Sequence, residues 1–135
     1  HSKTFFHGHT YTANPLGCAA AIATLDLFRE EETMDQVKGL IEVLREALAP
    51  LHRRKDIARV RQKGLMVGLD LLGPDGSDLD PVHRTGHQVC MAVRELGVIL
   101  RPLGDTVVMM PPLCMTANQV EKVVSAFVEV LDARA

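Results

Sequence analysis

Arg101 is the residue whose type and setting most strongly suggest chemistry. It ends a predicted apolar strand, and Pro102 and a Gly104-Asp105 turn follow it. A guanidinium on such a stiff backbone suits bidentate binding of a carboxylate. A surface ion pair between Arg101 and Asp105 would explain the four-residue separation of these two side chains equally well. The sequence alone does not favour either interpretation.

A second candidate site is the polar turn that precedes Asn14. Gly8 and Thr10 offer accessible amides and a hydroxyl at the entry to a helix, where a phosphate could bind. Ordinary turn chemistry would use the same residues. His7 and His9 are spaced to share one face of a strand, but a metal site needs further ligands and none lies nearby in the sequence. A polar turn is therefore favoured over a metal pair.

The rest of the chain contains no motif for nucleophilic catalysis or for a disulfide framework. Cys18, Cys90 and Cys114 are odd in number, widely spaced and without a CxxC pair, which indicates buried or incidental thiols in a reducing cytosol. The net charge is −2, and no apolar run is long enough to span a bilayer. We therefore expect no metal and no membrane association.

The basic stretch His52–Lys63 is the only feature that suggests nucleic acid. It has no interleaved aromatic residue, and the chain has a single tyrosine for stacking on bases. A solvated face, or an ion-pair partner for the acidic Glu30–Glu32 segment, explains the stretch better. We expect no nucleic-acid binding.

Capping signals and hydrophobic periodicity predict the elements that must position these residues. Asn14-Pro15 is a favoured helix start, Gly97 a favoured helix end, and Thr116 with Gln119 a capping box. Helices are predicted over Pro15–Phe28, from the REEET segment to about Pro50, over Pro81–Leu96, and after Thr116. Strands are predicted over Ile57–Arg61, Leu65–Leu72, Val98–Leu100 and Thr106–Met110.

The order of these elements predicts the fold class. Strands that are short and mostly close in sequence favour a small, mostly antiparallel sheet covered by helices, an α/β fold of the α+β kind. A chain of 135 residues has room for one domain. The first predicted helix is unusual, because its N-terminal half is built from glycine, cysteine and alanine and so suits close approach to another surface.

Two stretches of the sequence resemble a known family. HGHTYTANPLGCAAA is similar to the segment that opens the C-terminal part of class III (fold-type I) pyridoxal-phosphate aminotransferases, and LGVILRPLGDTVVMMPPL is similar to their later substrate-arginine strand. The resemblance covers essentially the whole chain. It implies a turn that contacts cofactor and substrate at residues 1–14, a connecting helix at 15–32, and the C-terminal small domain at 33–135, with the large cofactor-binding domain upstream.

The resemblance also implies the site residues. Gly8 would lie beside the substrate, while the His9 main chain and the Thr10 hydroxyl would hold the phosphate of pyridoxal 5'-phosphate bound to the partner subunit of a homodimer. Arg101 would pair with the substrate carboxylate. No catalytic residue is expected in this chain, because the lysine that forms the Schiff base would lie upstream of His1. The lysines present do not match its surroundings: Lys3, Lys38, Lys55, Lys63 and Lys122.

Within the class, the opening segment and RPLGD most resemble the branch that aminates 8-amino-7-oxononanoate in biotin biosynthesis, with S-adenosylmethionine as the amino donor. Two alternatives stay open. One is an omega-amino-acid:pyruvate or ornithine-type member of the same class. The other is a freestanding module that binds a carboxylate or a partner without catalysis. The resemblance to the aminotransferase family also implies that the protein acts on small molecules in the cytoplasm.

Overall fold

The structure is a computed structural model that describes Lys3 and residues 12–134. It contains two compact units, His1–Met34 and Asp35–Ala135. In the first unit, helix α1 spans Pro15–Glu30. Asn14 caps it by accepting a hydrogen bond from the Leu16 amide at 3.0 Å, and Pro15 occupies the first helical turn. The predicted start of this helix is confirmed, and its end lies two residues beyond the predicted one.

Helix α1 has no buried residue. Most of its larger apolar side chains are exposed, with Leu16 the most exposed at 81%, and Phe28 is half-buried. Its other exposed large apolar residues are Ile22, Leu25 and Leu27. The small residues that the sequence places in its first half therefore lie on a helix that contributes nothing to a core in the part of the chain described.

The second unit contains a four-stranded sheet and helices. The strands are β1 (Ile57–Lys63), β2 (Met66–Leu71), β3 (Arg101–Leu103) and β4 (Thr106–Met109), in the spatial order β1-β2-β4-β3 with every pair antiparallel. Helix α2 spans Thr33–Leu48, α3 spans Thr85–Glu95 and α4 spans Ala117–Asp132, with short 3₁₀ turns at Ala49–Arg53 and Pro81–His83. The predicted fold class is confirmed.

The sheet buries one face and leaves the other accessible. In β2 and β4 the buried residues alternate with exposed or half-buried ones, as period-two side-chain geometry requires. Phe127 of α4 is completely buried in the same core. The core joins the strand residues Val67, Leu69, Val107 and Met109 to apolar residues of three helices, among them Leu44, Leu48, Val89, Val93, Val120 and Leu131.

The capping signals of the second unit are confirmed. Gly97 follows α3 with a φ of 80°, the left-handed conformation that a glycine adopts without strain. At the start of α4, the Thr116 side chain accepts from the Gln119 amide and the Gln119 side chain accepts from the Thr116 amide, which completes the capping box.

Two predicted elements are wrong in their bounds. The predicted helix Pro81–Leu96 is interrupted at Arg84, whose φ of 48° ends the 3₁₀ turn before α3 begins. The third strand is Arg101–Leu103 and not Val98–Leu100, so Arg101 begins the strand that it was expected to end. The cause is the tight Gly104-Asp105 turn, which brings Leu103 directly opposite Thr106 and sets the pairing from there.

In the described part of the chain, no helix combines the length and the apolar character that crossing a membrane requires.

Candidate functional site

Arg101 lies on β3, at one edge of the sheet. Its Cα pairs with that of Val108 on β4, and Val108 pairs in turn with Gly68 on β2. Paired residues of antiparallel strands share a face, so Arg101 belongs to the accessible face of the sheet, opposite the helices. The aliphatic Val108 is therefore the immediate cross-strand neighbour of Arg101.

The Arg101 side chain is exposed and forms no ion pair with any residue from 12 to 134. The alternative ion pair with Asp105 is not formed. Asp105 instead uses its Oδ1 atom to accept a hydrogen bond from the backbone amide of Gly86 at 2.8 Å. The guanidinium is therefore available for a carboxylate that comes from outside the described residues.

The neighbouring polar side chains on this face are already engaged with one another. Arg61 on β1 forms an ion pair with Asp70 on β2, and the Thr106 hydroxyl donates to the same carboxylate at 2.7 Å. A shallow cavity of about 290 Å³ lies beside this group, with Gly68 and Val108 among its lining residues. The network connects three strands, and no local sequence pattern indicates it because its members come from distant segments.

The basic stretch His52–Lys63 contains an arginine that forms ion pairs within the second unit. Arg54 donates two hydrogen bonds of 2.8 Å to the carboxylate of Asp56 and also pairs with Asp132 near the end of α4. The hydrogen bond from Arg54 holds the pKa of Asp56 below its ordinary value, against the opposing effect of burial. The ion-pair partners of Arg54 are thus Asp56 and Asp132, whereas the predicted partner was the Glu30–Glu32 segment. The prediction of a solvated face fits the exposed side chains of the stretch, among them Arg53, Lys55, Arg59 and Lys63.

The cysteines form no disulfide in the described residues. Cys18 and Cys114 are exposed, whereas Cys90 is buried in the core, where desolvation raises the pKa of its thiol to about 11. A thiol with such a pKa is almost entirely protonated at neutral pH and is a poor nucleophile. No group of three or more potential metal ligands occurs among the residues that the structure describes.

The predicted phosphate-binding turn lies outside the described residues. This applies to Gly8, His9 and Thr10, and to His7, which the metal-pair interpretation joins to His9. Their roles stay predictions from the resemblance. Of the predicted site residues, the structure describes Arg101 alone.

The antiparallel sheet with helices on one face matches part of the fold of known transaminases. A solved adenosylmethionine-8-amino-7-oxononanoate aminotransferase from Methanocaldococcus jannaschii superimposes with a TM-score of 0.87 at 30% identity, over 98% of this chain and 31% of that one. A PLP-bound amine transaminase from an uncultivated Pseudomonas species superimposes with a TM-score of 0.83 at 33% identity, over 96% of this chain and 30% of that one.

The sequence comparison gives the family. The sequence model of class-III aminotransferases matches residues 1–131, and the chain belongs to that family. A curated relative, the adenosylmethionine-8-amino-7-oxononanoate aminotransferase of Nitratidesulfovibrio vulgaris, is 45% identical over 124 residues, which are 90% of this chain and 23% of the relative. The chain thus spans between about a quarter and a third of the length of the proteins it matches.

Proposed function

We propose that this chain is part of a pyridoxal-phosphate aminotransferase that transfers an amino group from S-adenosylmethionine to the ketone of 8-amino-7-oxononanoate, giving 7,8-diaminononanoate in biotin biosynthesis. Family membership supports the reaction type, and the names of the relatives support the acceptor. The chain alone would be inactive, because the lysine that forms the Schiff base belongs to the upstream large domain in this proposal.

The observation that carries the proposal is the free guanidinium of Arg101. It is exposed, has no ion-pair partner among the described residues, and lies on a short strand whose register is fixed by β4. An arginine in that state can bind the distal carboxylate of the acceptor through two parallel hydrogen bonds. Fixing that end of the acceptor would orient its carbonyl for amino transfer.

The cofactor would be held by residues near the start of the chain. The His9 main-chain amide and the Thr10 hydroxyl would bind the phosphate of a cofactor that belongs to the partner subunit, and Gly8 would leave room for the substrate. Pyridoxal phosphate, when bound, supplies the electron sink that stabilises negative charge at the reacting carbon. The active site is therefore shared between two subunits of a homodimer in this proposal, and we place the reaction in the cytoplasm.

The proposal is tested with the whole natural protein that carries this sequence. Purified with its cofactor, it should aminate 8-amino-7-oxononanoate with S-adenosylmethionine as donor, and it should do so faster than it aminates pyruvate. Arg101→Ala should raise the KM for the acceptor by an amount equivalent to about 1.5–3 kcal/mol, as expected for a charged hydrogen bond. An unchanged acceptor KM in a folded variant would refute the role of Arg101.

A matched control variant is available on the same face of the sheet. Arg59 is exposed on β1, and its Cα pairs with that of Asp70, away from β3. Arg59→Ala removes the same charge from the same face, so it should leave the acceptor KM unchanged. Equal effects of the two substitutions would mean that only the overall positive charge of the face matters.

An omega-amino-acid:pyruvate or ornithine-type enzyme is the second candidate. The amine transaminase that superimposes on this chain favours it, since its identity of 33% is similar to that of the Methanocaldococcus structure. Faster amination of pyruvate than of 8-amino-7-oxononanoate would establish this alternative. A natural protein with an intact mass near 14.8 kDa would instead favour a freestanding module that binds a carboxylate or a partner.

A further inference from the structure

Helix α3 begins without a cap of its own. The residue at its N-cap position, Arg84, has a φ of 48° and offers no side-chain hydrogen bond, and the first turn contains no acidic residue. The first amides of a helix have no partner within the helix and carry partial positive charge. The His87 amide bonds back to the Arg84 carbonyl at 2.9 Å, whereas the amide of the buried Gly86 needs an acceptor from outside the helix.

Asp105 supplies this missing cap from the turn between β3 and β4. Its Oδ1 atom accepts from the Gly86 amide at 2.8 Å, across 19 residues of sequence. Its main-chain oxygen accepts from the Leu71 amide at 3.0 Å, at the end of β2. One residue thus connects the turn to both the helix and the neighbouring strand.

The contact between the turn and the helix is too close for any side chain at position 86. A Cβ atom on Gly86 would lie 2.3 Å from the main-chain oxygen of Gly104 and 3.0 Å from the Cα of Asp105. Gly86 is buried, and Gly104 adopts a φ of 61° to make the turn. Glycine at both positions lets the turn press directly against the first turn of α3.

The strand that carries Arg101 contacts two other elements, β4 and α3. β3 has three residues and lies at the edge of the sheet, where it pairs with β4 on one side. Its middle residue is Pro102, which has no amide hydrogen to donate. A short edge strand of this kind depends on its turn for its position, and that turn is held by Asp105.

We infer that Asp105 is a positioning residue for Arg101: by capping α3 it fixes the β3–β4 turn, and thereby the strand that presents the guanidinium to a substrate carboxylate. The inference rests on the proposed function of Arg101. In this role Asp105 acts on Arg101 through the backbone. The structure shows no direct ion pair between the two residues.

Three substitutions separate the hydrogen-bonding role of Asp105 from its charge. Asp105→Asn keeps an oxygen acceptor at the same distance and loses the charge, so the acceptor KM of the whole enzyme should stay within about twofold of the wild-type value. Asp105→Glu keeps the charge but displaces the oxygen, and should raise the acceptor KM. Asp105→Ala should raise it by roughly tenfold, with the donor KM unchanged. If the alanine variant does not fold, the Asn and Glu variants decide.

A double-mutant cycle with Arg101→Ala tests the connection between the two residues. In the Arg101→Ala protein, Asp105→Glu should change the acceptor KM by less than about twofold, because the group that it positions is gone. An effect of Asp105→Glu that is equally large with and without Arg101 would overturn the inference. So would Glu and Ala variants that lower the melting temperature and leave the acceptor KM unchanged.

The outcomes also distinguish this inference from the proposed function. If Arg101→Ala raises the acceptor KM and neither Asp105→Glu nor Asp105→Ala does, only the inference fails. If Arg101→Ala itself leaves the acceptor KM unchanged, the proposed carboxylate site fails and the inference fails with it.

Discussion

The two edges of the sheet use arginine in opposite ways. Before β1, Arg54 is only 21% exposed and holds both Asp56 and Asp132. On β3, Arg101 is exposed and forms no ion pair with a described residue. The bidentate edge of the Arg54 guanidinium is occupied by Asp56, whereas Arg101 has no described carboxylate on any of its donors. The comparison separates an arginine that stabilises the fold from one that is available to a ligand.

The largest expected effect on stability comes from breaking the Arg54 edge. Asp56 is 7% exposed, so Arg54→Ala leaves a buried carboxylate without its partner. Losing one member of such a pair costs about 3 kcal/mol or somewhat more. Urea unfolding of the chain measures this loss. Arg54→Lys keeps the charge without the bidentate geometry and should lose less. A loss below about 1 kcal/mol for the alanine variant would contradict the structural role of this arginine.

The same edge should make stability depend on pH. The hydrogen bond from Arg54 lowers the pKa of Asp56 in the folded protein below its ordinary value, which is about 3.9 for an unfolded aspartate. The stabilisation is therefore complete above about pH 4 and is lost as the pH falls through the folded pKa. Urea unfolding at a series of acidic pH values should show this fall for the wild-type chain. Asp56→Asn should show a smaller fall, and identical profiles would rule the pair out as its source.

Much of the fold could be predicted from sequence because its signals are local. The helix start at Asn14-Pro15, the Gly97 end and the Thr116 capping box each depend on residues within one turn of one another, and all three are confirmed. The bounds of β3 could not be predicted in this way. They depend on which residues of β3 and β4 pair across the turn, and apolar character alone favoured Val98–Leu100.

The candidate site shows the same division. Arg101 could be singled out from its own flanking residues, but the choice between an ion pair with Asp105 and a free guanidinium could not be made. That choice depends on Gly86, which lies far from Asp105 in sequence and leaves no local pattern. Helix α3 starts after Arg84, which offers no cap of its own, and this would have indicated a cap from a distant residue. The sequence placed the start of the helix at Pro81, so the missing local cap could not be recognised.

A smaller effect is expected in the middle of the accessible face, between the two edges. The Arg61 side chain is 52% exposed and that of Asp70 is 26% exposed, so water screens their ion pair. Arg61→Ala should cost about 0.5 kcal/mol of unfolding free energy, and salt should reduce that cost. Thr106 continues to donate to Asp70 in the variant, which limits the loss. A cost that matches that of Arg54→Ala would show that burial does not separate the two arginines.

The smallest effect on stability, and the sharpest test of the comparison, is expected at Arg101. With no ion pair to lose among the described residues, Arg101→Ala should change the free energy of unfolding by less than about 0.5 kcal/mol. The same substitution should raise the acceptor KM of the whole enzyme, whereas Arg61→Ala should lower stability more and leave that KM closer to the wild-type value. A stability loss at Arg101 as large as at Arg61 would reveal a structural partner for its guanidinium, and an arginine so engaged would not be free to bind substrate.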